Sequence, residues 1–321
     1  MDRMKNISVL DTSLTAFNLG NEIIMDAVNN VIRELFEDSF LIRIQCMDKI
    51  GPLSLRYIQE SNLSFIGGSN LLTSQMNKYK QIGFTPMSML RSQDMILLGV
   101  GWWQYQRDPN MISRLFLRNL LSSSFTHSVR DRYTLTMLRK AGITNILNTS
   151  CPSTWSLTEK HCSLIPSNPS SHVVFTLTDY NRMEASDESF ISLLLNKYQK
   201  IFFWPQGLND LTYFKELNIL DKDKIFILSP NLKAFDALLK ANEIDYVGTR
   251  LHAGIRALQN RKRALILSID NRAKEMADDI NLNICNRDAL DEIEHFINHS
   301  IQTSINLPRQ AISEWKEQFK N

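Results

Sequence analysis

DYVGTRLHAGIRALQ (residues 245–259) reads as a short apolar strand, a glycine that ends it and a helix that begins almost at once. The junction delivers Gly248, Thr249, Arg250 and His252 to the start of that helix. Backbone N–H groups at a helix start lack partners and carry the positive end of the helix dipole. An arginine and a histidine at that place therefore make an anion site. His252 has an unperturbed pKa near neutrality and also suits acid or base work, the bland alternative being a histidine satisfied in the core.

The same strand–loop–helix unit recurs outward from this stretch in both directions. In the first half, strands are expected at 7–10, 40–46, 63–67, 95–100 and 125–129, and helices at 22–36, 110–121 and 133–141. In the second half, strands are expected at 173–177, 200–204, 224–228, 246–247 and 264–269. Helices are expected there at 187–198, 208–217, 232–241, 253–259, 273–280 and 289–305, and a last one at 309–319. Apolar runs bounded by Gly, Asp and Pro suit strands buried on both faces, and their alternation with helices predicts mostly parallel sheets with right-handed crossovers. CPSTWSLTEKHCSLIPSNPSS (151–171), rich in proline and serine, reads as an interdomain connection. The expected fold is α/β, with two Rossmann-like domains facing a cleft. They span residues 1–155 and 156–305, and a C-terminal helix within 306–321 packs back on the first.

Composition narrows the function. A length of 321 residues is enough for two domains with full cores. Lys plus Arg is 36 against 34 Asp plus Glu, a net charge of +2, and no dense basic run calls for nucleic acid. A cationic site must be local. No apolar stretch reaches the roughly 18 residues that span a bilayer, and MDRMKNISVLD reads as a first strand rather than a secretory signal. The expected location is the cytoplasm, with a lipid-linked acceptor drawing the chain to the inner membrane face. Cys46, Cys151, Cys162 and Cys285 form neither a CxxC pair nor a Cys/His cluster, so free thiols and no bound metal are expected.

In open α/β sheets, ligands sit beyond the carboxyl ends of the strands, so chemistry is sought just after each strand. DTSLTAFNLGNEI (11–23) offers Gly20 for a tight turn and Asn18, Asn21 and Glu22 for hydroxyl groups; alternatively it is a plain connection capped by Asn21. It lacks the Lys-Ser/Thr pair of a P-loop. FIGGSNLL (65–72) allows close backbone approach to a ligand beside Asn70, or makes a structural turn. Trp102, Trp103 and Tyr105 in GVGWWQYQ (99–106) stack on a sugar or belong to the core. Arg130, beside Asp131, clamps a carboxylate or phosphate, or pairs with that aspartate. FFWPQGLND (202–210) places Trp204 and Gln206 at a strand end, and SIDNRAKEM (268–276) does the same for Asp270, Asn271 and Arg272.

Taken together, NLGNEI, FIGGSNLL, SVRDRYT, CPSTW, WPQG, GTRLHAGIRAL and SIDNRAKE resemble the polysaccharide pyruvyl transferase family, in that family's order and across residues 11 to 282. GTRLHAGI with an upstream SVRD is the specific part. Many relatives carry a third glycine where Ser69 stands, and Asp-Pro-Ala where this chain has Cys151, Pro152 and Ser153. The resemblance implies a fold similar to GT-B glycosyltransferases, phosphoenolpyruvate as co-substrate with no further cofactor, and a sugar or lipid-linked oligosaccharide of a bacterial surface glycan as acceptor. It implies Arg130, Arg250, Leu251 and His252 as donor-binding positions. Asn18, Asn21, Glu22, Asn70, Trp102, Trp103, Tyr105, Trp204, Gln206 and Arg272 are then the acceptor candidates. Ketal formation would begin with protonation of the enol carbon, followed by hydroxyl attack on the central carbon, loss of phosphate and ring closure by a second hydroxyl. His252 is expected as the acid or as the stabiliser of the leaving phosphate. A nucleotide-sugar glycosyltransferase and a non-catalytic glycan-binding module are the alternatives, since fold does not fix function. These motifs do not encode an oligomeric state.

Overall fold

A computed structural model describes residues 5–79, 81–85, 92 and 94–320. The chain divides into two compact units. The first comprises Met1–Ala16, Ile24–Trp155 and Leu307–Asn321; the second comprises Phe17–Ile23 and Ser156–Asn306.

In the first unit the strands are β1 (Asn6–Asp11), β2 (Phe40–Gln45), β3 (Leu63–Gly67), β4 (Asn70–Leu72), β5 (Met95–Leu98), β6 (Gly101–Trp102), β7 (His127–Val129) and β8 (Ile146–Asn148). Four of them form a parallel sheet in the order β2-β1-β3-β5. Beyond β5, Gly99 N donates to Ser128 O at 3.0 Å, carrying the edge on to β7 and its parallel partner β8. Leu10, Ile66, Leu97 and Val129 meet Leu117 of helix Met111–Leu120 and Leu138 of helix Arg132–Ala141 in one buried core. The helix Arg309–Glu317 seals another face of this unit. Trp315 is fully buried, edge-on to Trp155 at 6.0 Å, and Gln318 exchanges hydrogen bonds with the backbone of Thr126.

In the second unit six strands, β9 (His172–Thr176), β10 (Lys200–Phe203), β11 (Ile225–Ile227), β12 (Asp245–Gly248), β13 (Ala264–Ser268) and β14 (Ile284–Asn286), lie in the order β11-β10-β9-β12-β13-β14. Every pairing is parallel. The strand order reverses between β9 and β12. This is the doubly wound arrangement, and a ligand belongs at the carboxyl ends of those two strands.

Several expectations shift at element level, and β4, β6, β8 and β14 are short strands that the apolar runs did not announce. Pro52–Glu60 is a helix that apolar periodicity did not reveal, although Pro52 occupies its first turn, where proline's missing N–H costs nothing. The helix expected to run to residue 305 ends at Asn298, because the Arg263 guanidinium takes the carbonyls of Phe296 and His299, at 2.7 and 3.1 Å.

Gly68 has φ +54°, and a Cβ built there would lie 2.0 Å from Ile24 Cγ2. Gly68→Ala is expected to destabilise the chain by about 1–3 kcal/mol, read as a lower denaturant midpoint. Ser69 follows with φ +60°, a left-handed residue that explains why glycine suits that place.

His127 is fully buried on β7. Its Nδ1 faces the N–H of Leu97 at 3.3 Å and its Nε2 faces Ser122 O at 3.0 Å. That pattern fits a neutral ring whose Nε2 carries the proton, and burial pushes its pKa down to about 4. The folded pKa lies below the unfolded value near 6.5, so the unfolded chain binds the extra proton first. Stability from this residue is complete above about pH 6.5 and is lost as pH falls toward 4. His127→Gln, which can keep both hydrogen bonds, should lessen that acid loss by roughly 3 kcal/mol when unfolding free energies at pH 7 and pH 4 are compared.

Candidate active site

The reversal point of the second sheet gathers the charged residues. β12 ends at Gly248, and Arg250 stands at the start of helix Leu251–Gln259. Arg250 is 4% exposed. Its backbone N–H donates to Thr176 Oγ1 at 3.2 Å, at the end of β9, and its Nε donates to Leu177 O at 3.2 Å and Asp210 Oδ2 at 3.1 Å. Nη2 bonds Asp210 Oδ1 and reaches Asp179 Oδ1 at 3.4 Å. Among the described residues, these bonds engage Nε and Nη2 and not Nη1.

Asp210 holds this arrangement together. It is fully buried at the start of helix Asp210–Glu216 and accepts the backbone N–H groups of Gly207 at 2.7 Å, Gln206 at 3.1 Å and Asp179 at 3.2 Å as well as Arg250. One carboxylate thereby fixes the loops after β9 and β10 against the arginine after β12. Gly207 lies so close that a Cβ there would sit 2.3 Å from Arg250 Nη2. Asp210 lies inside the WPQGLND stretch, but sequence reasoning assigned it no role. Its signal was an aspartate placed to start a helix four residues after a strand-end glutamine.

His252 is 6% exposed in the first turn of the same helix, and Leu251 beside it is also buried. Arg250 occupies the cap position of this helix, and its side chain makes no capping bond to the first turn. The backbone N–H groups of the first turn have no partner within the helix and lie at the positive end of its dipole.

Around this centre, Tyr180 lies under the Arg250 guanidinium, 5.3 Å from ring centroid to Cζ, and its hydroxyl accepts from Arg272 Nη2 at 2.6 Å. Arg272 is held by Asp270, with Nε to Oδ2 at 2.8 Å, so its charge is already compensated. Burial works against the Arg272 charge, but Tyr180 and Asp270 together hold its pKa above the ordinary arginine value. The Tyr180 loop is anchored from β14, where the buried Arg287 bonds Asp187 Oδ1 at 2.7 Å and the carbonyl of Asn181 at 2.5 Å.

Asn18 and Gln206 also meet in this unit. Asn18 Oδ1 accepts from Gly20 N at 2.9 Å and from Gln206 Nε2 at 2.8 Å, and Leu19 N donates to Gln206 O at 3.0 Å. Asn18, rather than Asn21, therefore ties down the start of helix Gly20–Leu35, and Asn21 lies within its first turn. Glu22 is exposed. Among the described residues Gln206 Oε1, just past the end of β10, is a buried acceptor with no hydrogen-bond partner. Trp204 is corrected as an acceptor residue: it is fully buried and stacks on Phe235 at 4.0 Å, so its face is already covered.

The first unit holds the other candidates. Arg130 follows β7 and is 1% exposed. Its Nη2 bonds Asn70 Oδ1, and its Nε reaches Asp131 Oδ2 at 3.3 Å. Asp131 also caps helix Arg132–Ala141 through Thr134 N at 2.6 Å, so both alternatives for the Arg-Asp pair share one geometry. The Asn70 carbonyl is committed to positioning Arg130. Trp102 is corrected: it is 1% exposed and belongs to the core. Trp103 is half-buried against Tyr79 at 5.0 Å, and Tyr105 is exposed, edge-on to Tyr133 at 5.1 Å. Both keep part of their surface in contact with solvent. Cys151 is fully buried, and burial raises its thiol pKa. All four cysteines are free. Among the described residues no three or more His, Cys, Asp or Glu converge as a metal site.

Fold and site define an enzyme of the α/β class, with two parallel-sheet units and an acid-buttressed arginine at a strand-order reversal. A family model for polysaccharide pyruvyl transferase matches residues 18–271, and the chain belongs to that family. It is a transferase of polysaccharide modification. No curated protein matches the chain. Among solved structures, the chain is similar to UDP-GlcNAc 2-epimerase of Methanocaldococcus jannaschii at 14% identity, covering 95% of each chain with a TM-score of 0.49. It is also similar to the wall teichoic acid polymerase TagF at 10% identity, covering 98% of this chain and 82% of that one, with a TM-score of 0.47. Heptosyltransferase WaaC of E. coli is similar at 11% identity, over 90% of this chain and 99% of that one, with a TM-score of 0.43. At these values the likenesses say nothing of this chain's substrate.

Proposed function

We propose that the protein transfers the enolpyruvyl group of phosphoenolpyruvate to a sugar of a bacterial surface polysaccharide or its precursor, forming a pyruvate ketal. The observation that carries this reading is the Arg250–His252 junction. A buried guanidinium held by Asp210 stands two residues before a histidine in the first turn of a helix, where the second sheet reverses. Phosphoenolpyruvate brings a phosphate and a carboxylate, and a guanidinium with first-turn N–H groups matches that charge. Asp210 and Asp179 keep Arg250 oriented before a donor arrives. His252 then protonates the enol carbon or steadies the departing phosphate. In the first unit Arg130, held by Asn70 and Asp131, is the corresponding candidate for the donor. Asn18, Gln206 with its open Oε1, Trp103 and Tyr105 are the acceptor candidates. The site of action is the cytoplasm.

The reading is tested by incubating the protein with phosphoenolpyruvate and surface-glycan oligosaccharides. Phosphate release matched by ketal formation supports it, whereas glycosyl transfer from a nucleotide sugar without use of phosphoenolpyruvate contradicts it. His252→Ala is expected to lower kcat by about 10²–10⁴-fold while moving the donor KM little. His252→Gln should keep the donor KM and recover part of the turnover if the residue's role is phosphate stabilisation. A His252→Ala chain with unchanged kcat would remove the residue from the chemistry.

A further inference from the structure

Helix Met111–Leu120 has an apolar corner that faces solvent. Met111 is 77% exposed, Ile112 56% and Leu115 63%, while Phe116, Leu117 and Leu120 fill the core on the other side. Single exposed apolar residues are ordinary, but three adjacent ones on one helix face mark an interaction surface. Arg118 lies one turn beyond Leu115, on the same face.

The surroundings are cationic. Arg118 Nε bonds Ala141 O at 3.0 Å, joining this helix to the end of helix Arg132–Ala141, where Arg139 and Lys140 are exposed. Lys140 pairs with Asp108 at 2.6 Å, just ahead of the apolar corner and next to exposed Arg107. Across residues 101–142, Asp108 is the only exposed acid, in a chain whose net charge is +2.

We propose that this corner docks the protein on an anionic lipid bilayer, with Met111, Ile112 and Leu115 entering the headgroup region and the ring of basic residues meeting lipid phosphates. Apolar insertion combined with arginine and lysine is the chemistry of interfacial helices. A second copy of the chain suits the corner less well, because a two-fold interface would set the same cations against themselves. Nucleic acid suits it less well too, since the centre of the patch offers aliphatic side chains where stacking would need aromatic ones. No helix among the described residues is long and apolar enough to cross a membrane, so contact by this corner would be peripheral. The proposal stands apart from pyruvyl transfer, because docking is read without donor or acceptor.

The test is co-sedimentation of the full chain with vesicles of phosphatidylglycerol and phosphatidylcholine, and with vesicles of phosphatidylcholine alone. Binding to the anionic vesicles that weakens with salt is expected. The triple variant Met111→Ser, Ile112→Ser, Leu115→Ser should bind roughly tenfold or more weakly. Because all three side chains are exposed, its thermal midpoint should match the parent. Leu115→Trp should keep or strengthen binding. No binding to anionic vesicles, equal binding to neutral ones, or a triple variant that binds like the parent would each overturn the proposal. So would a concentration-dependent dimer that the triple variant abolishes while vesicle binding is absent.

Discussion

An Asp210→Ala chain is expected to lose about 3–5 kcal/mol of stability, the cost of leaving one member of a buried ion pair uncompensated. Asp210 is fully buried and Arg250 is 4% exposed, so solvent screens neither. The loss exceeds that of a single pair in its structural reach, because three backbone N–H groups lose their acceptor at the same time. The loops carrying Asp179 and Gln206 would then loosen around the arginine, and activity should fall with stability. Asp210→Asn, which keeps shape and one acceptor oxygen, should fold better than Asp210→Ala. The diagnostic comparison is the double variant Asp210→Leu, Arg250→Met. It should lose less stability than the sum of the two single changes, because neither charge of the pair is then left alone. Chemical denaturation of the four chains measures the coupling. Strict additivity would mean that Asp210 and Arg250 do not act as a pair.

The second large effect concerns Arg250 as a ligand. Arg250→Lys keeps a charge but not the planar fork that spans Asp210 through Nε and Nη2. It is expected to weaken phosphoenolpyruvate binding by about 2–5 kcal/mol, the range for truncating a buried charge-assisted partner. The variant should be nearly folded, since a lysine ammonium can still meet the Asp210 carboxylate. A stable Arg250→Lys chain with unchanged donor affinity would show that Arg250 serves the fold alone.

Much of the architecture was legible because parallel α/β units write their strands as short apolar runs closed by Gly, Asp or Pro. The β12–helix junction was read correctly from DYVGTRLHAGIRALQ alone, since a strand, a glycine and a polar helix start leave few other conformations. Strand order was not legible. Whether β12 pairs with β9 or with β11 depends on which faces the crossovers cover, and no local pattern records it. The aromatic candidates split for a related reason. Trp102, Trp103 and Trp204 all lie at or just past strand ends, but burial depends on the next layer: Trp204 lies on Phe235, Trp102 enters the core, and Trp103 stays half-buried against Tyr79. Asp210 and Tyr180 were missed because their partners are far away in sequence. An aspartate that opens a helix looks like an ordinary dipole residue until Arg250, 40 positions later, comes to rest on it.

The most direct measurement of the central claim is a binding titration of the purified chain with phosphoenolpyruvate and, in parallel, with a panel of nucleotide sugars, using the parent and Arg250→Lys. Saturable phosphoenolpyruvate binding that Arg250→Lys abolishes, with no comparable response to nucleotide sugars, is the result expected of an anion site at the Arg250–His252 junction. Tight binding of a nucleotide sugar with no response to phosphoenolpyruvate would contradict it.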